Sequence, residues 1–137
     1  MKAIILTGSR YLNDSDRVLA RLNTYDRGTV VLHGDNPGVK SRERTGQRGA
    51  PGADRIGHAM AMLLGHVPVP FPADWTIGKR GGPERTELML RTLLSYREHG
   101  WSIAVEAFPL PNSIGTLHMI GIARRERVFV TITGEGA

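Results

Sequence analysis

The stretch KAIILTGSR, residues 2–10, decides the fold of this chain. A short apolar run without a helical period, stopped by a glycine, is typical of a buried β-strand. The residues that end the run are Gly8, Ser9 and Arg10. They combine a position that permits close backbone approach with two side chains that donate hydrogen bonds. We therefore expect a strand that presents polar groups at its carboxyl end.

Four further apolar runs follow along the chain, separated by helical patterns. The apolar runs predict strands at residues 29–32, 66–71, 102–108 and 127–132. The helical patterns predict helices over about 13–26, 52–65, 83–100 and 116–124. Steady alternation of strand and helix predicts parallel βαβ units with right-handed crossovers. The expected fold class is α/β, a Rossmann-like three-layer sandwich with a mainly parallel five-stranded sheet, in a single domain over residues 1–137.

The composition excludes several classes of protein. The 137 residues include no cysteine, which rules out disulfides, zinc ribbons, iron–sulfur clusters and cysteine nucleophiles. No apolar run approaches the roughly 18 residues that a transmembrane helix needs, so we expect no membrane partner. The histidines lack metal-ligand spacing, and we predict neither a metal nor a cofactor. We expect a cytoplasmic protein, either of a cell or of a phage growing in one.

The charge balance favours phosphate-bearing partners. Lys and Arg total 18 against 13 Asp and Glu, a formal net charge of +5. Such a surface attracts nucleotides or a nucleic-acid backbone, although the aromatic content of 6% is low for a base-stacking platform. Residues 36–51 are rich in glycine and proline and predict a mobile basic loop inserted in the domain. Its basic side chains are Lys40, Arg42, Arg44 and Arg48.

Glycine-rich and charged segments coincide with the predicted strand ends. In open parallel sheets the ligand crevice lies at the carboxyl ends of the strands. The segments that reach this edge are 8–10, 33–35, 72–75 and 109–116. At the first of them, Gly8, Ser9 and Arg10 are candidates for phosphate contact. We expect the ligand site to form where these segments meet.

The remaining candidates each have a structural alternative. Helix N-termini at Gly52 and Asp54, and at Gly115 and Thr116, offer free N–H groups to a phosphate, and Asp54 also suits a helix cap. His33 and Asp35, on either side of Gly34, are expected either to bind ribose hydroxyls or relay a proton, or to be a histidine bonded to backbone and a capping aspartate. Trp75 is expected either to stack on a base or to pack on Pro72 at the surface.

Three charged residues suggest chemistry at the ligand. Arg85 lies in the first turn of a helix, where a cation is unfavourable unless it has an anionic partner. Glu106 interrupts an apolar strand, which is costly unless the carboxylate is exposed or paired. Asp74 is expected either to hold a base by hydrogen bonds or to act as acid or base. Glu106 and Asp74 are the catalytic candidates if the chain is an enzyme.

Taken in order, the motifs resemble one family. They are TGSR at 7–10, HGD at 33–35, GADR at 52–55, PFPADW at 70–75, GGPER at 81–85 followed by ML, AFP at 107–109 and GT at 115–116. This set resembles the YspA-type branch of the SLOG superfamily, which includes DprA-like proteins and LOG-type phosphoribohydrolases. The resemblance covers roughly residues 2–132 and implies a Rossmann-like fold that binds a nucleotide or nucleotide-derived ligand.

The chain departs from that family pattern in three places. Residues 35–51 separate two motifs that are normally almost contiguous, and 109–114 read PLPNSI where the family has PGG. Where LOG-type enzymes place a catalytic Glu, this chain has Leu117, His118 and Met119. The resemblance therefore implies ligand binding more firmly than catalysis.

Three functions follow from the sequence. The first is a sensor or binding module for a nucleotide-derived ligand. The second is a nucleotide N-glycosidic hydrolase that uses Glu106 or Asp74. The third is a DNA- or RNA-binding protein that uses the basic loop. A homodimer is compatible with each.

Overall fold

A five-stranded parallel sheet forms the centre of the molecule in a computed structural model that describes residues 1–134. The strands are β1 (Lys2–Gly8), β2 (Val30–His33), β3 (Val67–Pro70), β4 (Ser102–Phe108) and β5 (Val130–Ile132). The helices are α1 (Ser15–Leu22), α2 (Gly52–Leu64), α3 (Gly81–Glu98) and α4 (Ile114–Arg125). The strand order is β3-β2-β1-β4-β5, and every pairing is parallel. The predicted α/β Rossmann-like sandwich is therefore confirmed.

Strand β1 is buried on both faces, as its unbroken apolar run predicts. Ile4 and Leu6 pack in one hydrophobic cluster with side chains of α1 and α2. Ala3 and Ile5 pack in a second cluster with side chains of α3 and α4. All four β1 residues are fully buried. Successive side chains of β1 thus point to opposite faces of the sheet, and each face is covered by two helices.

The chain changes direction across the sheet at β1. It runs outward from β1 to β2 and β3, and α3 then returns it to β4 on the other side of β1. Strands β1 and β4 pair along their whole length, from Lys2 opposite Ser102 to Gly8 opposite Phe108. The carboxyl ends of these two strands therefore flank the topological switch point, where α/β sheets place their crevice.

Helix and strand ends differ from the predicted bounds at several points. Helix α1 begins after Asp14, whose side chain accepts a hydrogen bond from the Arg17 N–H at 3.1 Å, and it ends at Leu22 rather than near residue 26. Strand β3 is an edge strand that contains Pro68 and Pro70, where missing N–H groups are tolerated. In the described part of the chain, no helix combines the length and apolar character needed to cross a membrane.

Segment 36–51 contains backbone pairing that the sequence pattern does not show. Val39 and Ala50 exchange two backbone hydrogen bonds, each of 2.8 Å, and the Arg42 N–H donates to the Gln47 carbonyl at 2.8 Å. A short 3-10 helix, Glu43–Thr45, lies at the tip. We call this segment the basic hairpin. All four of its basic side chains are exposed.

Candidate functional site

A cleft of about 690 Å³ lies over the carboxyl ends of β1 and β4. It is bounded by the turn after β1, the first turns of α2 and α3, and the segment that leads into α4. Its size falls within the range typical of small-molecule sites. The structure brings eight of the predicted ligand residues to this cleft: Gly8, Ser9, Arg10, Gly34, Asp54, Arg85, Gly115 and Thr116.

The end of β1 is packed too closely for any residue but glycine at its last position. A Cβ atom on Gly8 would lie 2.5 Å from the Ala53 Cβ and 2.8 Å from the Phe108 carbonyl oxygen. The first turn of α2 therefore rests directly on the end of β1. The Ala53 N–H donates to the Ser9 carbonyl at 2.9 Å, which fixes the two segments together. Arg10 then emerges at the rim of the cleft, where its side chain is exposed.

The first turn of α4 presents free backbone donors to the cleft. Ser113 precedes the helix but caps nothing in it, because its hydroxyl donates to the Leu110 carbonyl at 2.7 Å. Among residues 1–134, the N–H groups of Gly115 and Thr116 have no hydrogen-bond acceptor. Unpaired N–H groups at a helix N-terminus carry partial positive charge, so this edge of the cleft suits an anion.

Arg85 ties the ends of two strands to α3. Its Nη1 donates to the Gly34 carbonyl, and it lies 3.4 Å from the Phe71 carbonyl oxygen. Burial lowers the pKa of the guanidinium, while Asp54 and Asp35 partly offset that effect. No carboxylate of the described residues lies within ion-pair distance of Arg85. Its remaining donors are therefore unused by protein carboxylates.

Asp54 places a buried carboxyl group in the same cleft. It lies in the first turn of α2, is 8% exposed and accepts a hydrogen bond on Oδ2 from the Asn36 N–H at 3.1 Å. Burial raises its pKa to about 6, against the opposing influence of the Asn36 and Gly34 N–H groups and of Arg85. Asp54 is thus a carboxyl group that titrates near neutral pH inside the cleft.

His33 and Asp35 support the cleft from behind without lining it. His33 is fully buried, and its Nδ1 accepts a hydrogen bond from the Asp35 N–H at 3.1 Å. Its Nε2 lies 2.9 Å from Nδ1 of His58. Burial, reinforced by His58, lowers the pKa of His33 to about 4. His33 is therefore neutral at pH 7 and fixes the backbone between β2 and Asn36.

Gly52 is likewise a support for the cleft. It has a φ of 81°, and its N–H donates to the Leu12 carbonyl at 3.0 Å. An added Cβ would lie 3.0 Å from the Arg10 carbonyl oxygen. The glycine thus lets α2 begin against the turn that carries Arg10.

Asp74 and Trp75 lie outside the cleft. Asp74 lines a second cavity of about 540 Å³ between residues 70–77 and α3, and it caps the 3-10 helix Trp75–Arg80 by accepting from the Thr76 N–H at 3.0 Å. Its hydrogen bonds to Thr76 lower the pKa of Asp74. Trp75 is 62% exposed and packs over Gly82, where an added Cβ would lie 3.1 Å from the ring. Arg85 lines both cavities and separates them.

Glu106 faces α1 and does not line the cleft. Its Oε1 accepts from Arg21 Nε at 2.8 Å, its Oε2 accepts from Arg21 Nη2 at 3.0 Å, and the Tyr25 hydroxyl donates to Oε2. Burial and the Glu106 carboxylate raise the pKa of Tyr25. The carboxylate is 0% exposed, and both of its oxygens are occupied. The structure therefore gives Glu106 partners inside the protein rather than access to a ligand.

The cleft is also lined by polar residues that sequence reasoning did not single out: Thr7, Tyr11, Asn36, Thr86, Asn112 and Ser113. Asn112 and Ser113 belong to segment 109–116, which was predicted to reach this edge as a whole. Asn112 has a φ of 67°, a left-handed conformation that asparagine tolerates better than most residues. The Asn-Ser pair before α4 was a visible signal of a turn at a helix start. Asn36 had no such signal, because its place beside Asp54 depends on the course of the chain after β2.

The cleft combines positively polarised hydrogen-bond donors with one carboxyl group. Free N–H groups of α4 and the two guanidinium groups, Arg10 and Arg85, are its donors. Asp54 is its acidic group. Within residues 1–134, no three His, Asp or Glu side chains are placed to share a metal ion. Comparison of the chain with models of protein families and with curated proteins finds no match.

Proposed function

We propose that this chain binds a nucleotide or a nucleotide-derived phosphate ligand in the cleft. The observation that carries the proposal is the convergence of free N–H groups at Gly115 and Thr116 with Arg10 and Arg85 on one cavity. Helix N-termini and guanidinium groups are both well suited to hold phosphate. The resemblance of the motifs to the YspA-type SLOG branch supports the same ligand class.

The placement of the acidic residues favours binding over turnover. Neither Glu106 nor Asp74 lines the cleft, and Glu106 is occupied by Arg21 and Tyr25. A sensor or binding module needs no acid or base at these two positions. It requires only that the ligand reach the first turn of α4 and the two arginines.

Thermal unfolding in the presence of ligands tests the proposal. The panel is AMP, GMP, ADP-ribose, NAD, ATP and ribose 5-phosphate. A ligand present at about 100 times its dissociation constant adds roughly 2.7 kcal/mol to the free energy of unfolding. Arg10→Gln removes a charge at the rim and is expected to weaken the shift. Arg125→Gln, at the far end of α4, is the matched control and keeps it. A flat response across the panel would overturn the proposal.

A second candidate function is nucleic-acid binding, favoured by the basic hairpin. Within the described residues, no carboxylate lies within ion-pair distance of Lys40, Arg42, Arg44 or Arg48. Exposed cations of this kind bind a phosphate backbone by releasing counterions, so affinity falls steeply with salt. Replacing all four by Gln is expected to abolish salt-dependent binding to single- and double-stranded DNA and RNA. Binding that the fourfold variant retains would remove this candidate.

A further inference from the structure

Asp54 is the one acidic side chain among the described residues that line the cleft. It lies in the first turn of α2, close to the end of β2. The backbone N–H groups of Gly34 and Asn36, in the loop after β2, point toward its carboxylate. A buried carboxylate in a site made for an anion needs an explanation, since it repels the phosphate that the rest of the cleft attracts. The explanation must come from another part of the ligand.

The two oxygens of Asp54 have different surroundings. Oδ2 accepts the hydrogen bond from the Asn36 N–H at 3.1 Å, which fixes the orientation of the carboxyl group. Among residues 1–134, His66 Nδ1 is the only side-chain nitrogen or oxygen atom that is both buried and without a hydrogen-bond partner. Oδ1 of Asp54 is therefore not a buried atom that lacks a partner. Asp54 lines the cleft, so its carboxyl group is placed where a bound ligand can contact it. Among the described residues, the N–H groups of Asn36 and Gly34 are the donors to this carboxylate, so any further donor comes from the ligand.

The position of the phosphate donors limits what that donor is. The N–H groups of Gly115 and Thr116 lie at the β4 side of the cleft, and Asp54 lies on the β2 side. Strands β2 and β4 flank β1, so the two ends of the cleft are about two strand spacings, or roughly 10 Å, apart. An ionised carboxylate only accepts hydrogen bonds. In a nucleotide, the donors nearest to the phosphate are the ribose hydroxyls, and the N–H groups of the base lie farther away.

We propose that Asp54 accepts hydrogen bonds from the ribose hydroxyls of the bound nucleotide, so that the site selects ribonucleotides over 2′-deoxyribonucleotides. The inference rests on the proposed function, because it needs a nucleotide phosphate at α4. An acidic residue near the end of the second strand serves the ribose 2′-hydroxyl in the same way in Rossmann dinucleotide sites. Here the acid comes from α2 rather than from the strand itself.

Calorimetric titration tests the proposal directly. The probes are the ribonucleoside 5′-monophosphates and their 2′-deoxy forms, with ribose 5-phosphate and 2-deoxyribose 5-phosphate as base-free pairs, at pH 8. A hydrogen bond to a charged acceptor predicts that each ribose form binds about 10- to 100-fold more tightly than its deoxy form. A preference that also holds for the base-free pair assigns the contact to the sugar. A preference confined to particular bases would overturn the proposal and assign Asp54 to a base N–H.

Asp54→Asn keeps an acceptor for the Asn36 N–H but removes the charge. It is expected to reduce the ribose preference to less than about threefold. Asp35→Asn is the matched control, because Asp35 lies in the loop after β2 beside Asn36, is exposed and does not line the cleft. Equal binding of ribose and deoxy forms by the wild-type protein, which needs no variant, would disprove the inference while leaving nucleotide binding intact. Failure of every probe to bind would instead disprove the proposed function.

Discussion

Arg21 and Glu106 form a two-point ion pair between α1 and the centre of the sheet, with Nε–Oε1 and Nη2–Oε2 distances of 2.8 and 3.0 Å. The arginine side chain is 33% exposed, whereas the carboxylate is fully buried. Because Tyr25 adds a third donor, the carboxylate is compensated without any solvent. The pair explains how an acidic residue is accommodated in an otherwise apolar strand.

Removal of Arg21 should therefore destabilise the protein strongly. Arg21→Met leaves the Glu106 charge buried beside Tyr25 alone, which is expected to cost about 3–5 kcal/mol in urea unfolding. The double variant Arg21→Met, Glu106→Leu removes both charges and should recover much of that loss. Arg17→Met is the control, because it removes a partly exposed ion pair with Asp14 and one hydrogen bond to the Gly134 carbonyl, which together should contribute about 1–2 kcal/mol. Similar losses in the Arg17 and Arg21 variants would contradict the assignment.

The same pair shows what sequence alone can and cannot predict. The apolar run 102–108 was enough to predict β4 and to mark Glu106 as costly, since both follow from the local pattern. Its partners lie 85 and 81 residues away in the chain: Arg21 is in α1, and Tyr25 lies three residues beyond the end of that helix. No local spacing links Arg21 to Glu106, so the sequence alone does not distinguish a structural role of Glu106 from a catalytic one.

The cleft was predictable in part for the same reason. Strand–helix alternation predicts where β1 and α4 must end, and hence that Gly8, Arg10 and Thr116 share an edge of the sheet. The burial of Asp54 depends instead on Asn36 and Arg85, which come from a loop and from a different helix. The basic hairpin is held by isolated backbone bridges, and such pairing produces no periodic side-chain pattern from which it could be predicted.

Asp54 should make stability fall as pH rises. Burial raises its pKa from 3.8 to about 6, so between these values the folded protein keeps a proton that the unfolded chain has released. The free energy of unfolding therefore decreases as pH rises from 4 to 6, and above pH 6 the buried charge costs on the order of 3 kcal/mol. Asp54→Asn should be more stable than the wild-type protein in urea at pH 8 and should lose that advantage at pH 4.

Comparing the wild-type protein with Asp54→Asn separates the effect of Asp54 on the pH dependence of stability from that of His33. Burial lowers the pKa of His33 to about 4, so its contribution to stability has the opposite sign and is lost as pH falls from 6.5 toward 4. Both proteins contain His33, and the difference between them cancels its contribution. Asp35→Asn serves as the control for the loop. An Asp54→Asn variant whose stability difference from wild type does not change with pH would contradict the assigned pKa.

Gly8 should tolerate no side chain. Alanine there would place its Cβ 2.5 Å from the Ala53 Cβ and 2.8 Å from the Phe108 oxygen, which forces α2 away from the sheet. We expect Gly8→Ala to lower the free energy of unfolding by about 1–3 kcal/mol. Gly121 in α4 has open space around its Cβ position, and Gly121→Ala should add roughly 0.5–1 kcal/mol through helix propensity. Thermal unfolding of the two variants, with shifts of opposite sign, is the measurement.

The preference for ribose should itself depend on pH. Below about pH 6 Asp54 becomes protonated and loses the charge that strengthens hydrogen bonds from the sugar. The ratio of dissociation constants for deoxy and ribose monophosphates should therefore fall several-fold between pH 8 and pH 5. Ionisation of the phosphate also changes in this range, but it is the same in both ligands and cancels in the ratio. In Asp54→Asn the ratio should stay near one throughout, and a wild-type ratio that is constant with pH would show that another group reads the sugar.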